Sequence, residues 1–354
     1  FSEEQFLKGK NIRPQFPGRN VGLMFGWEST LNPFIQYPAY REIAHLSLGE
    51  KFEILKNPLF KEKLLKQKPD FEPEIKKMLA DNASNKTKEE IAQDAALPTN
   101  LTRNYETQFI LGTPPNYEPK KEDSIAAVAL SEGISELEVM YDEMLKNNGT
   151  NLIYAAFTPY DNYKLKFVEQ AYRLKSSVAG GSDGGAHCGL ICDASMPTTN
   201  ISHWGRDRNA GRKFPLEMLV KKQTKDTAET FSLFDRGEIK VGMLADINII
   251  DYEKLNVSHP TMIHDLPLGG RRLVQDATGY VATIKNGQIV SENGKATGIL
   301  PGKLVRGKQI CDVKTDISKV SFFDKTFRLL FVKVARLIWG LSKKSMKTTI
   351  VPEN

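Results

Sequence analysis

Residues 180 to 193, Gly-Gly-Ser-Asp-Gly-Gly-Ala-His-Cys-Gly-Leu-Ile-Cys-Asp, place one carboxylate, Asp183, on a turn built largely of small residues. The turn follows an apolar-leaning stretch at Ser177 to Ala179. Glycines at 180, 181, 184, 185 and 189 let the backbone turn sharply and leave space beside one charged side chain, Asp183. That is the geometry of a site at a strand's carboxyl end. A Ser-Asp-Gly triplet alone predicts only a tight turn whose aspartate bonds local N–H groups. The residues around it decide between the two.

His187, four residues on, can orient the carboxylate or touch a ligand, and it can equally be satisfied by backbone groups of the loop. His187-Cys188-x-x-x-Cys192 invites a metal reading, but its spacing matches no standard zinc pattern and small buried cysteines are common. Arg206 and Arg208 each carry a guanidinium that matches a carboxylate in a two-point fork, with surface salt bridging as the plainer role. His203 beside Trp204 reads as packing, and His259, His264, Arg271 and Arg272 read as structural.

The Asp183 loop is followed by Pro197-Thr198-Thr199-Asn200-Ile201-Ser202-His203-Trp204-Gly205-Arg206-Asp207-Arg208. After it comes Asp235-Arg236-Gly237-Glu238-Ile239-Lys240-Val241-Gly242-Met243-Leu244-Ala245-Asp246-Ile247-Asn248-Ile249-Ile250-Asp251. This succession resembles the amidohydrolase superfamily, in its branch of N-acyl-D-amino-acid deacylases. The resemblance runs from Gly18-Arg19-Asn20-Val21-Gly22-Leu23 through Tyr40-Arg41-Glu42-Ile43-Ala44-His45-Leu46 to Ala296–Gly307. It implies an α/β fold, a TIM-like (β/α) barrel with a small β-sandwich module, and a zinc-dependent hydrolase of the C–N amide bond of N-acyl (D-)amino acids. Asp183 then matches the aspartate ending the eighth barrel strand, the general acid/base, which in some relatives also touches the metal. A carboxylate suits that work because partial desolvation tunes its pKa upward toward the operating range. His187, Arg206 and Arg208 become candidates for holding substrate, the arginines through its free carboxylate.

The resemblance also implies a His-x-His motif on the first strand and further ligands before the region that Gly18 to Phe25 matches. The histidines here are His45, His187, His203, His259 and His264, with no His-x-His. Residue 1 is Phe rather than Met. The chain therefore reads as the carboxyl-terminal part of such an enzyme, expected to hold no zinc and hydrolyse no N-acyl amino acid without its amino-terminal metal-binding part. The alternative is a non-catalytic remnant acting as a binding or membrane-peripheral protein.

The elements that must position Asp183 are legible in outline. Val21 to Phe25, Gln108 to Gly112 and Leu152 to Phe157 read as strands, and Pro215 to Gln223 as the helix returning after the loop. Residues 47 to 96, interrupted by Pro58, Pro69 and Pro73, predict short helices. Ser135 with Glu138 forms a capping box ahead of a helical pattern. The segment from about 28 to 150 reads as a helical insertion in a barrel part spanning 1–235. From 236 to 306 the period changes, and Asn286-Gly287 between Tyr280–Lys285 and Gln288–Ser291 is the strongest two-residue hairpin signal.

At 354 residues, 40% apolar and 26% charged, the composition is that of a soluble protein of about two domains. No run approaches the ~20 apolar residues of a membrane span. Cys188, Cys192 and Cys311 are odd in number, which argues against a disulfide framework and predicts a reducing, cytoplasmic setting. From Lys308 onward ten Lys/Arg stand against four Asp/Glu, so the segment 307–354 accounts for the whole net charge of +6. No aromatic-rich basic groove accompanies it, which argues against nucleic acid. Val320 to Leu341 patterns as a basic amphipathic helix, for which docking on protein is favoured over a membrane interface. The exposed strand edges of a half-barrel would also favour homo-oligomers.

Overall fold

Helix α1 (Ser2–Leu7) leads into two short strands, β1 (Gln15–Pro17) and β2 (Val21–Phe25). The helical segment follows: α2 (Pro38–Ile43), α3 (Leu48–Leu55), α4 (Pro58–Leu65), α5 (Glu72–Ala80) and α6 (Lys88–Leu101). Strand β3 (Gln108–Ile110), α7 (Ile125–Glu132) and α8 (Glu136–Gly149) complete it, and β4 (Ile153–Thr158), α9 (Lys166–Arg173) and β5 (Val178–Gly180) lead to the Asp183 loop. This computed structural model describes residues 1–80, 86–182, 184–185 and 187–307. The tail reading at 308–354 lies outside the described residues. Phe1–Leu304 form one unit, and a second begins at Val305.

Local chemistry sets the helix starts. Ser47 with Glu50 and Thr87 with Glu90 form reciprocal capping boxes, and Asn57 caps α4 with Pro58 in its first turn. At α8 only half of the expected box forms: Ser135 accepts from the Glu138 N–H, while the Glu138 carboxylate pairs with Lys61 at 2.8 Å. A tertiary ion pair has taken the side chain from the local motif. The amphipathic faces close on an aromatic centre, Trp27, Phe34, Tyr40 and Tyr141, with ring centroids 5.3–5.7 Å apart around Trp27 and Phe34.

Strands β2, β4 and β3 form one antiparallel sheet in the order β2-β4-β3. The resemblance implies parallel barrel strands in this part of the chain, and among the described residues only β1 and β5 pair in parallel. Short apolar runs mark buried strands without encoding their direction, so this difference was not readable from the pattern. Beneath β1 and β5, Phe16, Val168, Tyr172, Trp204, Phe214 and Leu219 form a buried cluster that fixes both strands.

After the loop come α10 (Met196–Ser202), α11 (Leu216–Gln223) and α12 (Lys225–Thr230). The remaining strands are β6 (Ile247–Ile250), β7 (Asn256–Val257), β8 (Thr261–Leu266), β9 (Gly270–Val274), β10 (Ala277–Thr278), β11 (Tyr280–Lys285), β12 (Gln288–Glu292) and β13 (Lys295–Ala296). They make a four-stranded antiparallel sheet, β13-β12-β11-β6, and two two-stranded ladders, β8-β9 and β10-β7. The β11–β12 hairpin turns at Asn286 and Gly287 with φ of 51° and 77°, the left-handed pair a type I′ turn requires.

Candidate active site at the ends of two parallel strands

Pro17 is in register with Gly180, so β1 and β5 end side by side with their carboxyl ends on one edge. Gly18-Arg19 leaves one strand and Gly181-Ser182 the other. In an α/β protein such strand ends are where ligands bind. Gly181 turns with φ of 79° and lies against Pro17. Asp183 itself lies outside the described residues. Beyond it, Gly184, Gly185 and His187 are exposed. His187 has φ of 46°, and its carbonyl accepts the Leu190 and Ile191 N–H groups at 2.7 and 2.9 Å, which closes the turn. Its imidazole has no hydrogen-bond partner among the described residues.

The far leg of the loop is fastened by residues 19 to 30. The buried Arg19 guanidinium, 2% exposed, donates from Nη2 to the Cys192 carbonyl at 3.0 Å, to Asp193 at 3.1 Å and to Ser195 at 3.4 Å. Its plane lies over the Tyr117 ring at 3.5 Å. Burial works against the charge, but Tyr117 and Asp193 outweigh it and hold the guanidinium above its ordinary pKa. The Met24 and Thr30 N–H groups bond the Leu190 and Gly189 carbonyls at 2.8 Å each. From the β-rich region, Leu273 N–H reaches the Cys188 carbonyl at 2.7 Å, and Gln275 accepts from Ser195. Gly18-Arg19-Asn20 stood in the sequence as part of a motif without a role; the structure places Arg19 as the clamp on this loop.

The arginines after the loop are occupied by the chain's own acceptors. Past α10 the helix widens into a π turn, His203–Asp207, a distortion frequent at functional sites. Arg208 Nε and Nη2 meet the two Glu118 oxygens at 2.9 Å each, Nη1 reaches Glu169 at 3.0 Å, and the guanidinium stacks 4.2 Å from the Trp204 ring. His203 Nε2 also reaches Glu118 at 2.9 Å, while its ring meets Trp204 edge-on. Burial would raise the Glu118 pKa, but hydrogen bonds from His203 and Arg208 pull it down to about 2. Arg206 donates to the backbone carbonyls of Tyr252, Glu253 and Leu255 and to Asp207, which ties the π turn to the connection before β7. Glu118 lies in a polar, proline-containing connection with no motif around it, so nothing in the sequence marked it.

His45 is exposed, His259 bonds the Pro260 carbonyl, His264 bonds Glu28 at 3.1 Å, and Arg272 pairs with Asp265 at 2.6 Å. Cys188 and Cys192 are free thiols, and burial pushes Cys192 up to about 11. Among the described residues no three His, Cys, Asp or Glu side chains converge as a metal site would require. The described residues therefore do not fit a catalytic zinc. Hollows of about 700 and 520 Å³ border the four-stranded sheet, and neither is lined by the loop from 181 to 195. No helix among the described residues is long and apolar enough to cross a membrane.

Residues 164–291 match the family model described as amidohydrolase family. This stretch runs from α9 through β5, the loop and the π turn to β12, and it relates the chain to the amidohydrolase superfamily. Among solved structures the chain is similar to a D-aminoacylase described as defining a novel subset of amidohydrolases, at 24% identity and a TM-score of 0.31. It is also similar to an N-acyl-D-glutamate deacylase from Bordetella bronchiseptica complexed with zinc and a phosphonate inhibitor, at 20% identity and a TM-score of 0.27. The alignments cover 54% and 55% of this chain and 36% and 37% of those chains. The chain thus spans little more than a third of the length of either. No curated protein matches it.

Proposed function

We propose that this chain supplies the acid/base end of a metal-dependent amidohydrolase acting on N-acyl amino acids, the D series by its likeness to the deacylases. The observation that supports the reading best is the register of β1 with β5. It delivers the glycine-rich Asp183 loop to the carboxyl edge of a parallel pair, with the far leg locked by Arg19. In this reading the chain is part of a TIM-like barrel, residues 1–235, joined to a β-sandwich module, 236–306. The Asp183 carboxylate takes a proton from the water whose oxygen attacks the amide carbonyl. It returns that proton to the nitrogen as the C–N bond breaks.

His187 stands next along the loop with an exposed imidazole and is assigned to substrate contact. Arg206 and Arg208 are assigned to bracing the π turn, because their donors are already met by Glu118, Glu169 and the 252–255 carbonyls. The described residues offer no zinc ligand set, so we assign the ion to side chains outside them in the complete enzyme.

The test is hydrolysis of a panel of N-acetyl-D- and L-amino acids by the complete enzyme, with the 354-residue chain alone as comparison. Turnover in the complete enzyme that survives Asp183→Asn would remove the acid/base assignment. A chain that binds one zinc tightly and turns over alone would remove the division of labour.

A further inference from the structure

We infer that Arg271 and Lys51 form an anion site beside the far leg of the Asp183 loop, and that the site takes a single carboxylate. Reading that carboxylate as the free one of an N-acyl amino acid rests on the function proposed above. The anion site itself does not.

Arg271 lies in β9 beside Arg272, and successive side chains of a strand point to opposite faces. Arg272 turns to Asp265, which it holds through Nε at 2.8 Å and Nη2 at 2.6 Å. Arg271 turns to the loop: a Cβ on Gly189 would sit 3.8 Å from its Nε and 2.6 Å from Thr30 Oγ1. Two contacts hold β9 in place there. The Leu273 N–H bonds the Cys188 carbonyl at 2.7 Å, and the Cys188 thiol lies 3.8 Å from the Arg271 carbonyl. Arg271 is exposed, and among the described residues its guanidinium meets no hydrogen-bond acceptor and no carboxylate.

The second cation is buried. Lys51, on α3, is only 5% exposed, and its ammonium reaches one acceptor, the Trp27 carbonyl, at a long 3.4 Å. The Tyr40 hydroxyl already donates to that carbonyl at 3.3 Å. Among the described residues no carboxylate pairs with Lys51, and Glu28, the acid that acts on it, bonds His264 at 3.1 Å. Burial and then the Arg271 charge hold the ammonium below its ordinary pKa, so the two cations oppose one another in the folded chain. A buried ammonium with one weak acceptor beside a second cation is costly, and an anion shared by the two removes that cost. Lys51 and Arg271 against Glu28 leave one positive charge in excess. A carboxylate balances it, with the guanidinium and the ammonium as its donors. A phosphate dianion would overshoot against Glu28.

The experiment titrates N-acetylglycine into the full chain by calorimetry at low salt, with uncharged N-acetylglycinamide as comparison. The expected result is saturable binding of the acid at millimolar concentration and none of the amide. Arg271→Gln should weaken binding about tenfold or more, as loss of a charged hydrogen bond does, while Arg272→Gln leaves it unchanged. Lys51→Met should weaken it too, with a melting temperature equal to or above the parent's, because an ammonium without a counter-ion leaves the interior. Should Lys51→Met not fold, Arg271→Gln at the surface carries the test. The inference is overturned by no saturable binding up to about 100 mM, by equal binding of the amide, or by equal losses in Arg271→Gln and Arg272→Gln. In the complete enzyme Arg271→Gln should raise KM for an N-acetyl amino acid about tenfold and spare kcat. An unchanged KM overturns the assignment to substrate. A complete enzyme that hydrolyses no N-acyl amino acid removes the proposed function, and the calorimetry then judges the anion site by itself.

Discussion

Arg208 and Glu118 meet through both arms of the guanidinium fork at 2.9 Å, and each side chain is only 2% exposed. A two-point fork that suits a ligand's carboxylate is here closed by a carboxylate of the chain itself. Glu118 comes from the connection between β3 and α7, and Arg208 from the end of the π turn. The pair therefore fastens the helical segment to the elements that follow the Asp183 loop, with His203 and Glu169 completing the cluster.

Removing one partner of a buried pair strands the other charge. Arg208→Met should destabilise the chain by about 3–5 kcal/mol, whereas Arg208→Met with Glu118→Leu should recover much of that loss. Urea unfolding of the two single variants and the double variant gives the coupling. Strict additivity would show that the two residues act independently.

The same cluster predicts an acid-side loss of stability. The folded-state pKa of Glu118 is depressed to about 2 from an ordinary 4.5, so its contribution is fully present above the unfolded value. It is lost as pH falls through the window from about 5 to 2. Unfolding midpoints measured at steps across that window should fall less steeply in Glu118→Gln than in the parent chain. Parallel curves would locate the acid sensitivity elsewhere.

Strands and hairpin were legible because their signals are local. The run from Val21 to Phe25 forms β2, and Asn286-Gly287 turns as its left-handed preference demands. The site was legible only as far as the loop itself. Arg19 and Glu118 act through partners 85 to 176 residues away, Asp193, Ser195, His203 and Arg208, and no spacing rule reaches that far. Arg206 and Arg208 show the converse: a side chain's type announces what it can grip, while packing decides which carboxylate or carbonyl it grips.

Gly22 in β2 faces Tyr154 of β4 so closely that a Cβ there would sit 1.9 Å from Tyr154 Cε2. Tyr154 is fully buried and its hydroxyl is held by Asn20, so the ring cannot swing aside cheaply. Gly22→Ala should cost about 1–3 kcal/mol through overpacking. Adding Tyr154→Leu should make the alanine easier to accept than in the parent. Thermal melts of the four chains check this, and an alanine tolerated equally in both backgrounds would contradict the crowding.

The last expectation concerns the reaction. In the complete enzyme, Asp183→Asn keeps the size of the side chain but removes its capacity to carry a proton. It should lower kcat by about 100-fold or more while leaving KM close to the parent value, as loss of a general acid/base does. Arg19→Lys keeps a cation under the loop but loses the planar group that stacks on Tyr117 and aims Nη2 at Cys192, Asp193 and Ser195, so it should lower kcat by a smaller factor and leave metal content unchanged. Steady-state kinetics with elemental analysis of both variants separates the roles. If Asp183→Asn raises KM and spares kcat, Asp183 binds substrate and some other group moves the proton.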